Sequence, residues 1–255
     1  MTTLRRLAYS IGLSAVLVMT VSGKEIVCSG TYKRHLQGIA SDGDTALYWC
    51  FTVALLKTDM EGKILAKIPV KSHHGDLTYH DGNVYVAVNF GSFNKEPGRA
   101  DSWVYVYDGD DLSFLSKHPV PELVHGAGGM AYHDGRFIVI GGLPETHTAN
   151  YLYEYTSDLA FVRKHVLPSG YTKLGIQTAC YGDGHWWFGC YGGKLLKTTP
   201  AFELINSYDF DCGVGIMQLN DGTFLVGRST SPKYGGKARP AKTAPDGGMV
   251  FTKTK

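Results

Sequence analysis

The chain is short of everything a helical, membrane-spanning or nucleic-acid-binding protein needs. Its formal net charge is only +2 over 255 residues, and no stretch gathers base on one face, which excludes a phosphate-reading surface. No apolar run reaches the roughly 20 residues that a membrane span requires. The five cysteines, Cys28, Cys50, Cys180, Cys190 and Cys212, include no Cys-x-x-Cys pair and no other metal-type spacing. Their odd number leaves at least one thiol without a partner in the chain. Gly128, Gly129 and Gly215 are followed by no helical pattern, so they do not form a phosphate loop. Crowding around an axis explains them better.

What is abundant is glycine and aromatic side chains, with 32 Gly, 16 Tyr and 11 Phe. Many short strands joined by tight turns use such a composition; a helical bundle does not. One pattern recurs: a strand, a tight Asp-Gly turn and a second strand. It runs through Gly128 to Ile140 around Asp134-Gly135, and returns at Asp81-Gly82, Asp183-Gly184 and Asp221-Gly222, with a looser copy at Asp42-Gly43. Successive turns fall roughly 40 to 50 residues apart, the spacing of four-stranded propeller blades. Four of these hairpins are followed by a second pair of strands. The fifth is followed only by Gly247 to Thr252, and a strand from Glu25 to Tyr32 has no hairpin partner nearby. The two shortages answer each other if the N-terminal strand completes the last sheet, leaving no open edge. The sequence therefore predicts an all-β, five-bladed β-propeller of four-stranded blades, its ring closed by the N-terminal strand.

Before that strand, Arg5-Arg6, a mostly apolar run from Leu7 to Val18 and the small residues Val21 and Gly23 form the pattern of a secretory signal peptide. Residues 1–23 are read as that signal, with an uncleaved membrane anchor as the alternative, and residues 24–255 as a single propeller domain. The expected location is secreted or periplasmic. The expected molecule is a monomer with no membrane attachment after cleavage and no nucleic-acid partner.

In a propeller, the turns between strands one and two of each blade lie at one end of the ring. The links between blades lie at the other, together with the long segments Asn89 to Ser102, Leu143 to Asn150 and Ser229 to Asp246. The Tyr-His-Asp-Gly turns with His80 and His133 are thus expected to be repeated turn chemistry. The last of the long segments reads as a mobile loop. The inter-blade links deliver Arg34, His35, Gln37, His73, His74, Asp76, His125, Gln177 and Asp211 to the loop-rich end, where inner strands converge.

Two uses of this set stand open. Asp76, His74 and His125 are the candidate acid/base groups, and His73, His74 and His125 the candidate ligands of a divalent metal ion, the one cofactor the pattern suggests. Alternatively the histidines form a hydrogen-bonded rim that plugs the channel. Adjacent His73 and His74 face opposite sides of an extended strand, so at most one easily reaches the axis. Arg34, His35, Gln37, His73, Gln177 and Asp211 are the candidate ligand contacts. Trp49, Trp186, Trp187 and Phe188 are expected to pack between blades. Cys180 is expected opposite Trp187, which makes a bridge to Cys190 doubtful.

The hairpins, the secretory start and the chain length resemble the five-bladed glutaminyl cyclases of the plant and bacterial type. Gln37-Gly38-Ile39 is similar to the family's Gln-Gly-Leu, and Gly75-Asp76-Leu77-Thr78 to its Gly-Glu-Gly-Leu-Thr. The resemblance implies a catalytic acidic residue in the second segment. Here Gly75 takes that position, and Asp76 comes one place later, on the opposite face by simple alternation. The functions expected are a small-molecule binding or catalytic funnel for a small polar ligand, a glycan- or protein-binding propeller, or a glutaminyl-cyclase-like acyltransferase.

Overall fold

The computed structural model describes residues 23–230 and 234–253. The segment read as a signal peptide lies, apart from Gly23, outside the described residues. Among the described residues there is no helix, and hence none long and apolar enough to cross a membrane.

The chain enters through β1 (Ile26–Cys28) and then builds four antiparallel sheets in sequence. The first blade is β2 (Leu36–Ser41), β3 (Ala46–Phe51), β4 (Ala54–Asp59) and β5 (Ile64–Pro69). The second is β6 (His74–His80), β7 (Asn83–Asn89), β8 (Ser102–Asp108) and β9 (Phe114–Pro119). The third is β10 (Ala127–His133), β11 (Arg136–Gly141), β12 (Asn150–Thr156) and β13 (Phe161–Leu167), and the fourth β14 (Lys173–Gly182), β15 (His185–Tyr191), β16 (Lys194–Thr198) and β17 (Leu204–Asp209). The fifth is β18 (Ile216–Gln218), β19 (Phe224–Thr230) and β20 (Gly235–Thr243), with β21 (Met249–Phe251). The protein is a five-bladed β-propeller.

Closure follows the expected route with one correction. β1 pairs with β20, Val27 opposite Lys237, so the N-terminus does complete the last sheet. The third strand of that sheet, however, is β20, which lies inside the segment read as a mobile loop. Pro240 sits within it, and a proline is tolerated where the ladder does not need its donor. β1 and β21 then share the outer edge of β20, one along each half.

The turns between third and fourth strands repeat one conformation, with a residue at positive φ: Gly62, Leu112, Leu159 and Phe202. A leucine or phenylalanine is accommodated in three blades. In the first blade only glycine fits, because a Cβ on Gly62 would overlap the carbonyl of Val27 in β1. Ser29 fastens this contact, donating its N–H (3.0 Å) and its Oγ–H (2.9 Å) to the Gly62 carbonyl. The core lies between blades. Trp49 and Trp187 are fully buried there, their indole N–H groups donating to Thr58 Oγ1 and to the Gly182 carbonyl, both at 2.9 Å. Cys180 pairs opposite Trp187, and all five cysteines are free and buried.

Candidate functional site

In four of the five inner strands a register slip interrupts the alternation of side chains between axis and blade interior, and the slip decides what reaches the axis. In β2 the slip falls between Leu36 and Gly38, in β6 between His74 and Leu77, in β10 between Ala127 and Gly129, and in β14 between Ile176 and Thr178. A bulge of this kind inserts a residue and re-aims those next to it. In β6 both Gly75 and Asp76 stand opposite the single Ala87. Simple alternation sent Asp76 away from the position of Gly75; the bulge instead delivers its carboxyl to the hub.

There it is wholly enclosed. Ala179 N–H donates to Asp76 Oδ2 at 3.2 Å, and the amides of Leu77 and Ile39 also point toward the carboxyl. Asp76 Oδ1 has no well-formed hydrogen bond. Burial outweighs the three amides and holds the carboxyl well above the usual carboxylate range. Glycines make this arrangement possible: a Cβ on Gly38 would overlap Asp76 Oδ1, and one on Gly129 would lie 2.8 Å from the Asp76 Cβ. The expectation that axial crowding accounts for Gly129 and Gly215 agrees with these contacts. A Cβ on Gly215 would meet Ile39 Cγ1 at 2.8 Å.

Asp76 therefore divides the channel. On the turn side is a small cavity of about 150 Å³ lined by residues such as Leu77, Tyr79, Ala131 and Gln218. On the loop side opens a funnel of about 380 Å³. Its walls are Phe93, Leu174, Ala127 and the backbone of Gly75 and Gly128, and its polar groups are His35, Gln37, His73, His74, Asn89, Gln177 and Tyr191. None of the lining residues carries a formal charge at neutral pH. Burial, with Arg34 nearby, holds His35 and His73 below the usual imidazole range, and His73 adds to the effect on His35. Both are neutral at pH 7.

The hydrogen bonds show which ends are free. Gln177 Nε2 donates to the Leu174 carbonyl at 2.7 Å, which leaves Oε1 as an acceptor. Gln37 Nε2 donates to Thr52 Oγ1 at 3.0 Å. Tyr191 Oη and His35 Nε2 stand 3.5 Å apart across the mouth. Asn89 is committed to its own loop, with Oδ1 accepting from the amides of Gly91 (3.2 Å) and Asp101 (2.9 Å).

Four of the residues anticipated as ligand contacts, His35, Gln37, His73 and Gln177, thus meet in one cavity. Two do not line it. Arg34 is exposed beside the funnel, and Asp211 pairs with Arg228. The expected catalytic trio is not assembled. His74 is buried; its Nδ1–H donates to the Lys71 carbonyl (2.7 Å) and its Nε2 accepts from Tyr107 Oη (2.8 Å). Burial pushes this imidazole down to about 4. With both nitrogens occupied, His74 has no lone pair to offer a metal or a substrate. His125 lines no part of the funnel, so His73, His74 and His125 do not form one metal site; its Nε2 instead faces Glu96 Oε1 at 3.8 Å. Tyr191 was not anticipated: it ends a second strand, and nothing in its local pattern points to the axis.

At the other end, the Tyr-His-Asp-Gly turns behave as repeated turn chemistry. Asp81-Gly82 and Asp134-Gly135 both have positive φ at each residue. His80 stacks on Tyr132 at 3.5 Å and His133 on Tyr181 at 3.4 Å, each reaching from one blade to the next.

No family model matches the chain, and no curated protein matches it. Solved structures do. Glutaminyl cyclase of Myxococcus xanthus superposes with a TM-score of 0.63 at 10% identity, over 90% of this chain and 96% of that one. The WD40 repeats of RRP9 give 0.54 at 10% identity, over 91% and 83%. A protein of unknown function from Bacteroides caccae gives 0.52 at 10% identity, over 90% and 93%. At such identities the likeness is one of fold.

Proposed function

We propose that the protein is an exported propeller whose loop-end funnel binds a small, neutral polar molecule, of the size of a dipeptide amide or a disaccharide. The observation that carries this reading is the lining itself: neutral hydrogen-bonding groups with free ends, set against apolar walls, in a volume typical of small-molecule sites. Among the lining residues a carboxylate or phosphate would meet no cation, and an ammonium no anion, Arg34 standing outside the lining. Gln177 Oε1 suits an N–H or O–H donor, while His35 and His73 offer either a donor or an acceptor. Ligand-detected NMR with a panel of neutral N-acetylated dipeptide amides and disaccharides tests this. Binding of one class that is lost in Gln177→Leu and His35→Ala supports the funnel. Binding unchanged in both variants, or none across the panel, refutes it.

A second reading, glutaminyl-cyclase-like acyl transfer, is favoured by the axial carboxyl of Asp76 in the Gly-Asp-Leu-Thr segment. In that reaction the N-terminal amine of a glutaminyl peptide attacks its own side-chain carbonyl and ammonia leaves. Against it, Asp76 has no surface in the funnel, so the substrate could meet it only if the floor at Gly75 and Gly128 moved. Ammonia release from a glutaminyl dipeptide amide, abolished in Asp76→Asn, would establish this chemistry; binding without release leaves the protein a binder.

A further inference from the structure

We infer that Glu96, His125 and His147 form a binding site for a zinc-class divalent ion on the rim of the propeller, separate from the funnel and independent of what the funnel binds. The three residues come from three different connections: Glu96 from the β7–β8 loop, His125 from the link between β9 and β10, and His147 from the β11–β12 loop. Glu96 Oε1 lies 2.5 Å from His147 Nε2 and 3.8 Å from His125 Nε2, and one ligating atom from each residue falls within 4.8 Å of the others. Three ligands around one tetrahedral zinc, each about 2.0 to 2.2 Å from the metal, stand roughly 3.3 Å apart. Shifts of well under 1.5 Å would bring these atoms to that spacing.

The outer nitrogens explain why the inner ones converge. His125 Nδ1 is 3.3 Å from the Lys95 carbonyl. A carbonyl only accepts, so this nitrogen carries a proton, and Nε2 is the ring nitrogen turned toward Glu96. His147 Nδ1 is 3.0 Å from Tyr151 Oη. Ring orientation through an outer hydrogen bond is the usual arrangement around a bound metal. A carboxylate oxygen and an imidazole lone pair facing each other repel unless a cation stands between them, either protons or a metal. Two imidazoles and one carboxylate are the donor set of a zinc centre with one position left for water. Exposure is graded to match, with His125 at 9%, His147 at 23% and Glu96 at 48%. The site is anchored inside and open outside.

The three connections are also clasped beside the ligands without any metal. Asn94, two residues before Glu96, donates its N–H to the His125 carbonyl (3.0 Å) and accepts the Leu143 N–H on Oδ1 (2.9 Å). Ala100 N–H reaches the Val124 carbonyl at 3.3 Å. The ligand-bearing backbone is therefore preorganised, a condition for affinity that an accidental surface cluster does not meet. Because Phe93 of the same loop forms part of the funnel wall, an ion here would also fasten that wall.

The test uses the full mature chain, free of any affinity tag and stripped with a chelator. Titration with Zn²⁺ by calorimetry and with Co²⁺ by visible absorption should give one equivalent bound at micromolar concentration or tighter, with Co²⁺ bands of four- or five-coordinate intensity. Glu96→Gln and His147→Gln, both at accessible positions, should each weaken binding at least tenfold while circular dichroism stays unchanged. His118→Gln, on outer strand β9, should leave it as in the wild type. Absence of a stoichiometric site, or affinity unaltered in Glu96→Gln and His147→Gln, overturns the assignment.

Discussion

The two ends of the propeller axis use the same residue types to opposite effect. At the turn end, His80 and His133 hold equivalent positions in two adjacent blades, and each closes a stack onto a tyrosine of the next blade. At the loop end, His35 and His73 obey no repeat, face an open cavity and retain unspent hydrogen-bonding capacity. Repetition builds the scaffold because the same turn in each blade meets the same partner in the next. A site arises where one blade departs from the others, since only there do polar groups remain without a symmetric partner.

That contrast can be broken most severely at the partition between the ends. Gly129→Ala places a methyl group against the Gln177 carbonyl and the Asp76 side chain. Overpacking against backbone costs about 3 kcal/mol here, and urea denaturation should show that loss. A cost under about 1 kcal/mol would mean that the inner strands can separate and that the partition is loose.

His74 sharpens the contrast because it lies at the loop end yet is buried with both ring nitrogens hydrogen-bonded. Its pKa is lowered to about 4 in the fold, against about 6.5 when unfolded. The unfolded chain therefore takes up the proton first. The neutral ring's contribution is complete above about pH 6.5 and is lost as pH falls toward 4, amounting to about 3 kcal/mol. Asp76, raised by burial, acts in the opposite sense, so the comparison that isolates His74 is wild type against His74→Gln. Chemical denaturation between pH 4 and 7 should show a shallower dependence in the variant, and equal slopes would show that the ring is not held neutral.

Smaller effects distinguish two half-buried histidines. His133→Ala removes a stack on Tyr181 and should cost about 1 kcal/mol while leaving funnel binding unchanged. His35→Ala should alter thermal stability by less than about 0.5 kcal/mol yet remove the ligand. If the two variants exchanged these outcomes, the assignment of scaffold to one end and site to the other would be reversed.

Much of the scaffold is written locally. Asp-Gly pairs flanked by alternating apolar residues, at regular spacing, yield the blade number. The orphan strand at Ile26 and the incomplete last hairpin yield the closure. β20 was hidden because Pro240 and its flanking lysines and glycines lack strand alternation, and pairing with β1 and β19 overrode that weak propensity. The site was legible as a set of links converging on one end, which brought His35, Gln37, His73 and Gln177 together. Its partition was not, because a bulge shifts register by one residue and alternation alone cannot place it.

By itself, then, the sequence determined the period and the turns, which depend on neighbours a few residues apart, and the ring followed from the count of strands at its two ends. Tertiary structure alone decided that Asp76 turns inward between Gly38 and Gly129, that His74 spends both nitrogens on Lys71 and Tyr107, and that His125 faces Glu96 and His147. Each of these depends on where a distant backbone segment passes within a few ångströms, and no local pattern encodes that distance.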